Sequence, residues 1–331
     1  MTRFFYDDDA DVGRLDGREV AIIGYGNQGR TQALNLRDSG VERVLVGSVR
    51  DESWDQAEGD GFEVMPISEA TRRADILFML LPDEVAPAVY RDEVEPALSS
   101  GKTLNFSSGY NITFGHIVPP ESADVVMVAP RMVGDAFRRL YESGKGAPCF
   151  VDVNQDSSGE AWEDCLALAK ALGCTRAGAL AVTFEQETHM DLMAEQGVWP
   201  LIWGVLYSAF EVQVEAGLPP EAVVLELYGS GEPAEMFEMA ADRGLVEQFV
   251  LHSRTSQYGQ ASRFEELDRT GIRAFLAEAL SERITSGRFD EEWTEVQQRE
   301  EPVLQELLDN MSEHPIIQSE KTLQKNLRLD S

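Results

Sequence analysis

Two sets of residues in this 331-residue chain have the types and spacing to do chemistry. The first is Gly24-Tyr25-Gly26-Asn27-Gln28-Gly29, set directly behind the apolar run Val20-Ala21-Ile22-Ile23. Between a strand and a helix, the first glycine permits a tight turn and the second lets backbone approach a pyrophosphate. The third lets helix and strand pack closely. Free N–H groups and partial positive charge at the helix start then favour phosphate. The second set is Asp191 and Glu195, four apart in a helical stretch. That spacing puts both carboxylates on one helix face, where they repel unless a cation lies between them. Hard oxygen donors with no thiolate nearby suit Mg²⁺. In so acidic a chain the pair also reads as an ordinary solvated face. The bulky run Val198-Trp199-Pro200-Leu201-Ile202-Trp203 favours the ion, because carboxylates leading into a buried helix are costly unless paired. Glu226 and Glu232 lie in a second candidate segment.

The end of the second strand decides between a free ribose and a 2′-phosphate. Gly47-Ser48-Val49-Arg50-Asp51-Glu52-Ser53-Trp54 contains both answers. Ser48, Arg50 and Ser53 suit a phosphate, whereas Asp51 or Glu52 suits a ribose hydroxyl; NADP(H) is favoured over NAD(H). Leu81-Pro82-Asp83 closes another strand at the carboxyl edge of the sheet, where open α/β folds bind ligands.

The elements that position these groups follow from apolar patterning. Short apolar runs at 20–23, 44–46, 76–81, 103–106, 124–129 and 148–153 alternate with helical or loop segments. That pattern predicts a parallel sheet covered on both faces. Beyond about residue 182 strand signals nearly vanish. Residues 183–216 read as one or two buried helices, followed by helices over 222–228, 234–241, 270–285 and 291–311. The tail, 320–331, is polar and reads as less ordered. The chain is therefore α/β: a Rossmann-like doubly wound parallel sheet in 1–182 and an all-α domain in 183–331.

Composition narrows the partners. With 43% hydrophobic residues a substantial core is available, and 59 acidic against 28 basic residues give a net charge of −31. Such self-repulsion points to a proteome adapted to high salt, where screening is short-ranged, with an acidic surface built for a basic partner as the alternative. No basic stripe is present to neutralise phosphates, which disfavours nucleic acid. Cys149, Cys165 and Cys174 show no C-x-x-C spacing and suit a reducing cytoplasm. No run approaches a membrane span of about twenty apolar residues.

The chain resembles the short, class I ketol-acid reductoisomerases over almost its whole length. The resemblance rests on Phe5-Tyr6-Asp7-Asp8-Asp9-Ala10-Asp11, the glycine turn, and Ala33-Leu34-Asn35-Leu36-Arg37-Asp38-Ser39-Gly40. It continues through Leu80-Leu81-Pro82-Asp83-Glu84-Val85, Phe114-Gly115-His116-Ile117-Val118-Pro119-Pro120, Gly173-Cys174-Thr175-Arg176-Ala177-Gly178 and Glu313-His314-Pro315-Ile316. It implies a knotted helical domain that dimerises, and Mg²⁺- and NADPH-dependent conversion of 2-acetohydroxy acids to 2,3-dihydroxy acids in branched-chain amino-acid synthesis. By the same resemblance Asp191 and Glu195 match metal carboxylates, and Glu226 matches a carboxylate from the second subunit. Ser253 matches a substrate serine, and Gly109 joins the cofactor contacts. Two departures fall in the catalytic set: Ser108 stands where the family has histidine, and Arg131 where it has lysine. Glu232, the candidate for a further carboxylate, lies between Gly231 and Pro233, which break helices. These departures leave two alternatives: a metal-assisted reductase of another 2-keto acid without alkyl migration, and a nucleotide-binding paralogue without catalysis.

Overall fold

The apolar runs assemble as a single sheet in the first of two compact units, residues 1–191 and 192–331. The computed structural model describes residues 2–299 and 302–327. The sheet has nine strands: β1 (Phe4–Phe5), β2 (Glu19–Ile23), β3 (Arg43–Gly47), β4 (Glu63–Met65), β5 (Ile76–Met79), β6 (Thr103–Phe106), β7 (Asp124–Pro130), β8 (Cys149–Gln155) and β9 (Ala179–Ala181). Their order is β1-β9-β8-β7-β6-β5-β2-β3-β4. Strand alternation explains the unbroken apolar runs. Val20, Ile22, Ile76, Phe78, Val126 and Val128 enter one core, while Ala21, Ile23, Leu77, Met79, Val125 and Met127 enter the other. Each large aliphatic side chain so buried contributes about 1.5–3 kcal/mol.

The sheet is mixed, which corrects the expectation of an all-parallel one. β4-β3-β2-β5-β6-β7 are parallel, but β8 runs antiparallel to β7, and β1 antiparallel to β9. The reason lies in residues 131–148. Their helix, Gly134–Glu142, packs on the helix Asn27–Asp38 (α1) instead of crossing the sheet. The Arg131 N–H donates to Pro148 O at 2.9 Å, so β8 starts at the edge where β7 stopped and must run back. At the opposite edge Asp164, on the helix Ala161–Ala171, ties the entry loop to that helix, accepting from Arg14 Nε at 2.8 Å and Arg18 Nη1 at 2.5 Å.

In the second unit the expected helices form, with three corrections. First, residues 184–215 run as Phe184–Met193 (which begins in the first unit), a π turn Ala194–Val198, and Trp199–Glu215. Trp199–Glu215 was expected to be buried, yet within this single chain only Phe210 of it is; Trp199, Trp203, Val205 and Val212 are exposed. A helix that is apolar all round exposes whatever its own chain cannot cover. Second, the helix expected over 291–311 is two helices, Arg288–Gln297 and Val303–Ser312; Pro302 has no N–H for a continuous one. Third, the tail is not loose from 320 onward: Pro315–Asn326 is helical, because Ile316 and Leu323 pack with Phe210 and Val224. The rest of that expectation, 328–331, lies outside the described residues. Among the described residues no helix is long and apolar enough to cross a membrane.

Candidate active site

β2 is flanked by β3 on one side and β5 on the other, so the chain direction across the sheet reverses there. Open α/β sheets form a crevice beyond the carboxyl ends of strands at such a point. Here it is a cavity of about 620 Å³, within the range of small-molecule sites. One wall is the turn 24–28 with Ser48, Asp51 and Ser53; the other is 81–83 with Ser107, Ser108 and Asn111. Gly24 adopts φ +93°, open to glycine at no steric cost, and Gly29 sits where a Cβ would meet Gly24 O at 2.1 Å. Gly26 has nothing within 4 Å of a Cβ position, so the N-terminus of α1 stays open to a ligand. Gln28 Nε2 donates to Met132 O at 2.9 Å, and Gln32 Nε2 to Ser107 Oγ at 3.0 Å, which fixes α1 against the far wall.

The specificity segment divides its labour. Asp51 Oδ1 accepts the Ser53 and Trp54 N–H groups (3.0 and 3.2 Å) and so caps the helix Glu52–Gly59. The Arg50 guanidinium lies 4.7 Å over the Trp54 ring. Of the residues expected at the cofactor, Gly29, Arg50 and Gly109 do not line the cavity. Gly29 serves packing, and Gly109 serves the neighbouring cluster described next. Asn111, only 4% exposed, borders the cavity and donates through Nδ2 to Asp83 Oδ1 at 3.2 Å, while its Oδ1 is buried without a partner. Such an orphaned acceptor beside a cavity is unusual in a folded protein.

Behind the 108–111 segment stands a charged cluster. Glu187, 1% exposed, accepts the Gly109 N–H at Oε2 (2.7 Å) and Arg131 Nη1 at Oε1 (2.8 Å). The other arm of the guanidinium, Nη2, donates to Asp191 Oδ1. Phe150 lies 5.0 Å from Arg131 Cζ, ring centroid to guanidinium. Burial pushes the Glu187 carboxyl up to about 7, against the opposing pull of the Gly109 N–H and Arg131. Glu187 was not anticipated from the sequence, where an acidic residue among others reads as surface. Its signal was spacing: Phe184, Glu187, Thr188 and Leu192 fall three or four apart and all are buried.

The expected metal carboxylates are placed as follows. Asp191 lies in Phe184–Met193 and is half-exposed; Glu195 lies in the π turn and is exposed. Both are hard oxygen donors of the kind Mg²⁺ takes, and the Arg131 ion pair engages Oδ1 of Asp191 alone. Among the described residues no group of three or more His, Cys, Asp and Glu is arranged to hold an ion. Within the second unit Glu226 is exposed on a π turn, Leu225–Gly229. Gly231, at φ +82°, breaks the helix there, and Glu232 opens the next one, Glu232–Arg243. Ser253 caps Arg254–Glu266, accepting the Ser256 N–H at 3.2 Å. Ser108 accepts the Tyr110 N–H at 3.3 Å and borders the cavity.

Comparison with known proteins agrees with this geometry. Residues 14–178 match the family model "Acetohydroxy acid isomeroreductase, NADPH-binding domain", and 184–328 match "Ketol-acid reductoisomerase, C-terminal domain". The chain is 41% identical to a ketol-acid reductoisomerase (NADP(+)) of Pyrococcus abyssi, over 96% of this chain and 95% of that one. It is 40% identical to the ketol-acid reductoisomerase (NADP(+)) of Methanopyrus kandleri, over 98% of each. A solved NADH-preferring ketol-acid reductoisomerase from an uncultured archaeon superposes with a TM-score of 0.93, at 38% identity, covering 99% of this chain and 100% of that one. The chain belongs to the ketol-acid reductoisomerase family.

Proposed function

We propose that this protein is a nicotinamide-dependent oxidoreductase that converts 2-acetohydroxy acids to 2,3-dihydroxy acids. The observation that carries the reading is the 108–111 segment. Ser108 and Asn111 border the dinucleotide cavity while the Gly109 N–H binds Glu187, so cofactor and carboxylate cluster share one piece of backbone. Asp191 and Glu195 would hold a divalent ion, which would polarise the ketone and stabilise alkoxide charge, and a bound nicotinamide would supply hydride. The chain's own groups bind and orient. The α1 N-terminus takes the pyrophosphate, Ser108 and Asn111 line the far wall, and Glu187 fixes Arg131 beside Asp191.

NADP(H) is the favoured cofactor. Ser48, Asp51 and Ser53 all border the cavity, but Oδ1 of Asp51 is engaged in capping its own helix, while the two serine hydroxyls suit a 2′-phosphate. The NADP(+)-named relatives support this; the NADH-preferring structure makes it a point to measure. The same reading divides function at 182/183, supported by family models that break between 178 and 184. It also includes a knotted helical domain that dimerises, Glu226 as a metal and substrate carboxylate contributed by the second subunit, Ser253 as a substrate serine, Glu232 as a further carboxylate, and a salt-adapted cytoplasmic setting. The exposed pair Trp199 and Trp203, stacked 5.9 Å apart, supports the dimer. A second reading, reduction without alkyl migration, is favoured by the guanidinium on Asp191. The deciding assay is Mg²⁺-dependent NADPH oxidation. Turnover of 2-acetolactate supports reductoisomerase activity, and turnover of 3-hydroxypyruvate or 2-ketopantoate alone supports the second reading. Tight NADPH binding without any turnover leaves a binding protein.

A further inference from the structure

We propose that Arg131 is a tethered cation that competes with a divalent ion for Asp191, and thereby sets how tightly this chain holds its metal. The proposal rests on the metal-dependent reading above. Arg131 leaves the end of β7 with its backbone fixed to Pro148. Its guanidinium is then held from two sides, by Glu187 at 2.8 Å and by the Phe150 ring at 5.0 Å. Glu187 is itself anchored by the Gly109 N–H at 2.7 Å. Nη2 is left pointing at Asp191 Oδ1.

Retreat is costly. Withdrawing the guanidinium from Asp191 also strains its bond to a buried carboxylate, and breaking a buried pair from one side is strongly destabilising. An ion arriving at Asp191 therefore meets a carboxylate already neutralised on one oxygen, with a fixed positive charge beside it. Both effects weaken cation binding. The fork is essential to this. A guanidinium bonds Glu187 and Asp191 at once, whereas an ammonium is one point charge on a flexible stem.

The test uses Mn²⁺ alone, titrated into the full chain without nucleotide or substrate and followed by the electron paramagnetic resonance of the free ion. Salt near 2 M KCl screens the acidic surface. The site is defined as the part of the binding that Asp191→Asn removes. Arg131→Met is expected to tighten that binding about tenfold, and Arg131→Lys to tighten it less, since a point charge in a polar setting interacts more weakly. Urea unfolding accompanies each variant, and if Arg131→Met does not fold, Arg131→Lys decides. Tighter binding in the folded variants, including binding where the unaltered chain shows none, supports the competition. Asp191-dependent binding of unchanged or weaker affinity overturns it while leaving the metal reading intact. No Asp191-dependent binding in any form overturns both.

Discussion

The two glycines Gly26 and Gly29 are three residues apart and should fail in opposite ways when replaced by alanine. A Cβ on Gly29 would stand 2.1 Å from Gly24 O and 3.0 Å from Gly24 C. Ordinary contact begins near 3.4 Å, so the helix must move away from the turn by roughly 1 Å. The obstructing atoms are backbone and cannot rotate aside. Overpacking of this kind costs about 1–3 kcal/mol, a large share of a typical stability of about 5–15 kcal/mol. Gly26 has φ −78° and ψ −161°, which any residue adopts, and no atom within 4 Å of its Cβ position. As the N-cap it loses about 1 kcal/mol or less on becoming alanine. Its methyl, however, would project into the space where a pyrophosphate must approach the first N–H groups of α1. A loss of about tenfold in NADPH affinity, or about 1.4 kcal/mol, is expected for Gly26→Ala with the fold intact. Urea unfolding at fixed salt and NADPH fluorescence titration separate the two effects. Unaltered NADPH affinity in Gly26→Ala would show that the turn is not the phosphate cradle. Unaltered stability in Gly29→Ala would show that the helix–strand contact is not as close as described.

Three further outcomes are expected. Asp164→Asn should lower stability by about 2 kcal/mol: the buried carboxylate holds Arg14 and Arg18, but both arginines are partly exposed, which reduces the cost below that of a fully buried pair. A loss below about 0.5 kcal/mol in urea unfolding, the range of ordinary surface changes, would remove this bridge from the account. Burial pushes the Glu187 carboxyl from its ordinary 4.5 up to about 7, so the folded state holds its proton more tightly and stability from this group falls as pH rises between those values. The stability of the unaltered chain relative to Glu187→Gln should therefore decline by up to about 3 kcal/mol from pH 5 to pH 8, and a flat difference would contradict the shift. Ser53 borders the cavity, and Ser53→Asp would set a carboxylate against a 2′-phosphate. Its NADPH dissociation constant should rise about tenfold while that for NADH changes little; equal changes would place the 2′ group elsewhere.

What the sequence discloses is what is local. β2, the glycine turn and α1 follow from contiguous residues, and the structure places them as read. β8 had the right composition, but its direction depends on Gly134–Glu142 packing on α1, about a hundred residues away in the chain, as the Arg138–Asn35 hydrogen bond shows (sequence separation 103). β1, β4 and β9 are two or three residues long and leave no periodic signature. The apolar run of Trp199–Glu215 marked a helix correctly, yet hydrophobicity alone could not say that this chain leaves much of it uncovered. At Asp191 and Glu195, like charges one turn apart suit either a bound cation or a solvated face. The cation shown on that face comes from Arg131, sixty residues away, and bridges Glu187 and Asp191. Spacing within a helix reports which side chains are neighbours and is silent about what another strand brings to them.

That bridge also shows why a chain of net charge −31 treats two classes of carboxylate differently. Surface acids share mobile counterions, and raising the salt weakens their mutual repulsion through a Debye length of about 3 Å at 1 M. Glu187 has no such recourse, because ions in solution do not reach a side chain 1% exposed. Burial raises its carboxyl to about 7, and the charge it does carry is met by groups the fold supplies, Arg131 and the Gly109 N–H. Asp191 lies one helical turn on, so a cation placed there faces two acids at once, and arginine meets them through separate N–H groups, Nη1 and Nη2, where lysine offers a single head. Salt can screen the surface of this protein, but the pairing of Glu187, Arg131 and Asp191 is set by geometry. Any ion that joins Asp191 must do so in the presence of that fixed charge.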